Sequence, residues 1–183
     1  LAQSSADRRA RIDIQQMNVD AVVNPNTQSL QARATIQFTP LDSDIQNVTF
    51  ELNEALRVSQ ATDEKDQPLT VSRGPDFTIR VTYPQALVKG QLTTVKITYD
   101  GRFSGQEESP VFGIRFAAIH NDFSYLLYPA RWFPVNGYTS DRYLSEFNVT
   151  VPTGFRVTGG GLETKSADNG GDVWNVKFTQ SGF

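Results

Sequence analysis

Three features of the sequence predict an all-β fold of antiparallel strands. Apolar and polar residues alternate at period two along most of the chain, and helix-period stripes are scarce. Strand-like segments recur about every 8–15 residues with turn residues between them. That rhythm suits a sandwich or a barrel rather than a chain of βαβ units.

The first strand runs from Arg11 to Val23. Ile12 and Ile14 share one face, and Met17, Val19 and Ala21 resume the alternation one residue out of phase, which predicts a β-bulge near Gln15–Gln16. Asn24-Pro25-Asn26-Thr27 reads as a turn. Leu30, Ala32, Ala34, Ile36 and Phe38 then alternate with polar residues and complete a hairpin. Ile45, Val48, Phe50 and Leu52 form the next strand, followed by Leu56 and Val58 and a turn at Asp63-Glu64-Lys65-Asp66. Leu69 and Val71 mark a short return strand before Arg73-Gly74-Pro75-Asp76. Phe77, Ile79 and Val81 alternate next, and Lys89-Gly90 precedes Leu92, Val95, Ile97 and Tyr99.

Gly101 to Pro110 reads as a polar loop, and Pro129 to Asp141 as an aromatic, proline-bearing one. Strands are expected again at Leu144–Pro152 and Phe155–Thr158. The glycine runs Gly159–Gly161 and Asn169-Gly170-Gly171 bracket a last hairpin ending in Val173–Phe178. Only Ser4–Ile12 and Pro84–Val88 are compatible with helix. With no internal repeat or low-complexity linker, residues 1–183 read as a single domain. The sequence stops at Ser181-Gly182-Phe183 directly after a strand, which reads as a cut from a longer chain, and Leu1–Ser5 lacks the parts of a signal peptide.

Composition narrows the chemistry. The chain has no cysteine, which excludes disulfides, thiolate catalysis and Cys-ligated zinc. A single histidine, His120, excludes a two-His metal site or an H-E-x-x-H motif within these 183 residues. A net charge of −3 and a pI near 5.2 argue against nucleic acid as a partner. No apolar run is long enough to span a bilayer as a helix.

Local motifs add little chemistry. Asp63, Glu64 and Asp66 lack the spacing of a calcium loop and suit a solvated turn. There is no G-x-S-x-G around a serine nucleophile, and Ser104 has no supporting pattern. Glu107 and Glu108 are adjacent, so in an extended chain their side chains diverge. Gly159–Gly161 lacks the Lys and following helix of a phosphate loop. The sequons at Asn47 and Asn148 fall inside expected strands and read as sheet residues. No self-contained enzyme is visible.

Pro129–Tyr138 is different in kind, because it sets Arg131 beside Trp132 and Phe133 in a segment stiffened by two prolines. Two readings stay open on the residues alone. In one, Trp132 and Phe133 plug an end of the sandwich while Arg131 pairs with a carboxylate. In the other, the loop walls a binding cleft or a domain interface.

At this loop the chain resembles a known family. Ala130-Arg131-Trp132-Phe133-Pro134, then the strand Phe147-Asn148-Val149-Thr150-Val151-Pro152 followed by Gly154, is similar to the aminopeptidase N family, the gluzincin zinc metallopeptidases that include the membrane alanyl aminopeptidases. Upstream, Val19–Pro25 leading into Leu30-Gln31-Ala32 resembles the family's first hairpin. Val48–Leu52 with Leu56-Arg57-Val58, and Gly90 with Val95, Ile97 and Tyr99-Asp100-Gly101, follow in the family's order. The likeness runs over about residues 12–180.

The resemblance implies a saddle-shaped antiparallel β-sandwich or barrel of the family's N-terminal type, cut from a longer peptidase. It implies no catalytic residue and no cofactor in this chain, with zinc held by an absent catalytic domain of the same parent chain. That domain would be the partner, and peptide substrate would be met through it. Ser124, Tyr125, Arg131, Trp132 and Phe133 are then the candidates for the substrate-cleft side or the interface. Family members usually carry Gln or Glu six residues before the Ala of the A-R motif, to hold the substrate's amine; here that position is Ser124, which lacks the reach and the charge. The family's Cys and Asp-x-Pro after F-P are replaced by Val135 and Asn136-Gly137-Tyr138. Export is the favoured compartment. A free-standing ligand- or protein-binding sandwich is the alternative reading.

Overall fold

The structure is a computed structural model that describes residues 10–103, 116–137, 142–168 and 171–178. Of the expected loop Gly101–Pro110, Gly101 and Arg102 instead end a strand, and Ser104–Pro110 lie outside the described residues, as do Tyr138–Asp141 and most of the helix-compatible Ser4–Ile12. Ile12 itself opens a strand.

Among the described residues the fold is all-β. Seven strands form one sheet in the order β11-β12-β10-β1-β2-β7-β4. These are β1 (Ile12–Asn24), β2 (Ser29–Pro40), β4 (Leu56–Thr62), β7 (Thr93–Arg102), β10 (Leu144–Val151), β11 (Leu162–Asp168) and β12 (Gly171–Phe178). A second sheet of β3 (Ile45–Glu51), β6 (Thr78–Leu87) and β5 (Thr70–Arg73) runs in the order β3-β6-β5. A hairpin of β8 (Ala117–Ile119) and β9 (Ser124–Leu126) stands apart from both. The sheets do not close on themselves, so the sandwich form of the expectation holds and the barrel form does not.

Alternation does the work expected of it. One face of β1 and β2 buries Met17, Val19, Ala21, Ala34, Ile36 and Phe38 completely or nearly so. These residues join Val95, Ile97 and Tyr99 of β7, and Phe50, Ile79 and Val81 of the second sheet, in one core. Each of the larger aliphatic and phenyl side chains contributes about 1.5–3 kcal/mol by leaving water, each alanine methyl about 0.8. The register of β1 against β2 shifts between Ile14 and Gln16, where the break in phase predicts the bulge.

Three sequence expectations are corrected. The strands are not all antiparallel: β1 pairs with β10 in parallel, Val19 opposite Phe147 and Ala21 opposite Val149. That pairing joins segments far apart in sequence, so no local turn announces it. Pro84–Val88 is not helical; β6 continues through Pro84 to Leu87. Its register jumps there, from Thr82 opposite Asn47 to Leu87 opposite Ile45, and an irregular stretch tolerates the missing proline N–H. Phe155–Thr158 alternates in burial like a strand but belongs to no sheet.

Candidate functional site

The segment from Leu127 to Gly137 crosses between the sheets and is held at both ends by backbone. Leu127 N–H bonds to the Phe116 carbonyl at 2.8 Å, and Glu51 exchanges bonds of 2.8 and 3.1 Å with Val135. Asn136 donates its side-chain amide to the Thr49 carbonyl at 2.7 Å. Between these anchors Ala130 adopts a left-handed φ of 61°, its carbonyl accepts from Asn53 N–H at 2.7 Å, and its own N–H bonds to the Phe133 carbonyl at 2.9 Å. Asn53 is buried and its side-chain amide reaches the Arg131 carbonyl at 3.4 Å. A tight turn of this kind turns Trp132 and Phe133 inward.

Both aromatics are buried. Trp132 is 7% exposed, and its ring packs 4.9 Å from Phe133 and 5.1 Å from Phe147 of β10, centroid to centroid. The Trp132 carbonyl accepts a 3.0 Å bond from the buried Tyr99 hydroxyl. Burial pushes the Tyr99 phenol far above its ordinary ionisation range, so it stays a donor. Arg131 is also buried, with its guanidinium 4.6 Å over the ring of Phe77. The A-R-W-F run thus sits among core residues, clasped between β3, β7 and β10.

Ser124 and Tyr125 lie elsewhere, on β9, with Ser124 exposed and Tyr125 half-buried. Their hairpin is closed by His120 N–H to the Phe123 carbonyl at 2.9 Å, and the His120 ring lies 4.7 Å from that of Phe123. Together with Phe123, Leu126 and Leu127 they form one wall of a cleft of about 630 Å³. Val23, Val149 and Val151 and the segment Phe155–Thr158 line it as well. The structure therefore brings Ser124 and Tyr125 to a cleft and keeps Arg131, Trp132 and Phe133 away from its lining.

The rest of that cleft was not picked out in the sequence. The alternation of Phe155–Thr158 is the signal in the sequence; among the described residues the segment pairs with no strand and lines the cleft instead. Two carboxylates pin this wall. Asp172, buried, accepts from Gly154 N–H at 3.4 Å and pairs with Lys165 Nζ at 2.9 Å. Glu163 accepts from the Thr158 hydroxyl and from Gly159 N–H, each at 2.7 Å. The Lys165 ammonium, and secondarily Gly154 N–H, hold the Asp172 carboxyl below the usual carboxylate range; Gly159 N–H and the Thr158 hydroxyl do the same for Glu163.

A zinc centre needs three or four convergent donors. The chain offers one His and no Cys, and among the described residues no three His, Asp or Glu side chains converge. These residues do not fit a zinc ion. Asp66, in the acidic turn, is engaged instead by Lys96 at 2.8 Å and Arg33 at 3.2 Å. Among the described residues no helix is long and apolar enough to cross a membrane.

No family model matches the sequence, and no curated protein matches it. Solved structures do. The M1 zinc metallopeptidase of Deinococcus radiodurans is similar with a TM-score of 0.76 at 21% identity, over 92% of this chain and 39% of that one. A mutant of the same enzyme bound to a Tyr-Ser-Ala substrate gives 0.76 at 22%, over 91% and 39%. A two-domain M1 zinc metallopeptidase mutant bound to L-arginine gives 0.73 at 19%, over 92% and 40%. The chain thus spans about two-fifths of the length of the structures it matches. At these identities the likeness is one of fold, and the fold of this chain is the β-sandwich that makes up about two-fifths of an M1 zinc metallopeptidase.

Proposed function

We propose that this chain is the non-catalytic N-terminal domain of an aminopeptidase N-like zinc metallopeptidase. It docks on a catalytic domain of the same polypeptide and walls one side of its substrate cleft. One observation carries the reading: the fold likeness spans nine-tenths of this chain but only two-fifths of the peptidases. The ordered motifs from Val19 to Gly154 support it from the sequence alone.

In this reading Ser124 and Tyr125 face the catalytic domain on an exposed hairpin, and Arg131, Trp132 and Phe133 anchor that hairpin to the sandwich. Zinc belongs to the catalytic domain, since the donors of this chain do not suit it. Peptide is the substrate of the whole protein, and export its expected destination. Without glutamine or glutamate at position 124, the domain contributes shape rather than charge to the recognition of a substrate amine.

The isolated chain, supplied with zinc and aminoacyl chromogenic substrates, is expected to show no turnover above buffer. Turnover by the isolated chain would overturn the non-catalytic reading. The coding sequence past Phe183 gives the second test. An H-E-x-x-H within the next few hundred codons is expected; a stop codon, or another sandwich domain, selects a free-standing binding module instead.

A further inference from the structure

The sequence holds two Asn-Gly pairs, Asn136-Gly137 and Asn169-Gly170, the second outside the described residues. Asparagine is thermally labile, most of all before glycine, which has no Cβ to hinder attack by its own backbone nitrogen. Asn136 and Gly137 are half-buried, so water reaches both. Gly137 adopts a φ of 81°, in the left-handed region that glycine enters without strain. Asn136 is also the side-chain anchor of the segment that crosses between the sheets. Its amide donates to the Thr49 carbonyl of β3 at 2.7 Å, and the neighbouring Val135 exchanges backbone bonds of 2.8 and 3.1 Å with Glu51. The labile amide and the anchor are one group.

We propose that Asn136 is a modification site, where deamidation unfastens the crossing segment from β3 irreversibly. The Gly137 backbone nitrogen attacks the Asn136 carboxamide carbon and closes a five-membered succinimide. The bond from that carbon to the side-chain nitrogen breaks, and ammonia leaves with the proton that the Gly137 nitrogen gives up. Water then opens the ring at either carbonyl, giving aspartate or isoaspartate, with no cofactor and no change of oxidation state. An ionised carboxylate only accepts hydrogen bonds, so in the product two acceptors face each other where an amide donated to Thr49. Isoaspartate also lengthens the backbone by one carbon beside Val135. In the closed form the Thr49 carbonyl holds the amide and Glu51 holds Val135, so ring closure waits on local opening of this end. Closure slows the reaction, and the reaction prevents reclosure. The inference needs only this domain and does not depend on the peptidase reading.

The test incubates the folded chain at mildly alkaline pH beside the capped peptide Phe-Pro-Val-Asn-Gly-Tyr-Thr, which has the same sequence around Asn136. Peptide mapping by mass separates Asn136 from Asn169. Conversion at Asn136 is expected in the folded chain, about tenfold slower than in the peptide, and faster in urea below the unfolding transition. Equal rates in chain and peptide overturn the proposal, because nothing then holds the amide. Absence of product at Asn136 over about a hundredfold the peptide's reaction time overturns it as well. The consequence is read on Asn136→Asp, with Asn136→Ala removing the donor without adding a carboxylate. Hydrogen exchange at the Glu51 and Val135 amides should speed up in both, more in Asn136→Asp, with β1 and β2 unchanged. Parent-like protection of those two amides in Asn136→Asp overturns the unfastening. If that variant fails to fold, the same amides are followed in the parent as the product accumulates, with the same two outcomes.

Discussion

Trp132 ties β7 and β10 together through two kinds of contact, ring packing on Phe133 and on Phe147 of β10 and a carbonyl bonded by Tyr99 of β7. Trp132→Ala removes a large buried ring, and the expected loss is ~3–5 kcal/mol, read from the urea midpoint. A near-neutral midpoint would place the ring at an interface instead. Tyr99→Phe strands the Trp132 carbonyl and should cost about 1–3 kcal/mol. Alkaline pH reads the same bond. Burial raises the folded pKa of Tyr99, and likewise of Tyr83, above the unfolded value near 10. A raised folded pKa gives stability that is complete below the unfolded pKa and is lost as pH rises beyond it. Thermal midpoints should therefore fall above about pH 10, and Tyr99→Phe should fall less steeply than the parent; equal slopes would remove Tyr99 from the effect. Nothing near Trp132 in sequence reveals this burial, because its partners Tyr99 and Phe147 lie on distant strands. The sequence therefore left the choice between plug and cleft wall open.

Strands were legible because period two survives wherever one face is buried, as in Leu30, Ala32, Ala34, Ile36 and Phe38. Partners were not, since pairing depends on distant segments: Phe155–Thr158 has the pattern of a strand and no sheet to join. The cleft shares that fate, with Ser124 and Tyr125 picked out but the opposite wall and the valine floor unseen. Close approach is also silent in sequence. A Cβ on Gly101 would lie 2.0 Å from the Ala55 carbonyl oxygen, where β7 meets the entry to β4. Gly101→Ala must push backbone apart, and a loss of about 1–3 kcal/mol in urea unfolding is expected, whereas an unchanged midpoint would mean the entry to β4 yields freely. The wall at Gly154–Gly159 gives a pH prediction. Its carboxylates Asp172 and Glu163 have depressed pKa values, so their grip is complete at neutral pH and is lost as pH falls through and below the ordinary carboxylate range near 4. Amide exchange at Gly154 and Gly159, corrected for its intrinsic pH dependence, should lose protection there before β1 and β2 do. Simultaneous loss would mean that the carboxylates do not hold the wall separately.

At the scale of the whole molecule, the seven-stranded sheet has two parts joined at one seam. β1, β2, β7 and β4 are linked by antiparallel ladders, while β12 and β11 join that ladder through β10, which pairs with β1 in parallel. Closing that seam brings together residues more than a hundred positions apart, at an entropic cost that grows only slowly with loop length but is recovered only once the long-range contacts form. The outer strand of this half is poorly buried: Leu162 of β11 is 67% exposed, whereas Leu30 and Ile36 of β2 are fully covered. Opening free energy follows such differences in buried contact. Native-state hydrogen exchange should thus resolve two levels, with amides of β11 and β12 opening at lower free energy and those of β1, β2 and β7 near the global value. The seam also lines the cleft beside β9, because Val23 comes from β1 and Val149 and Val151 from β10. A single uniform level in the free protein would make the sandwich one cooperative unit.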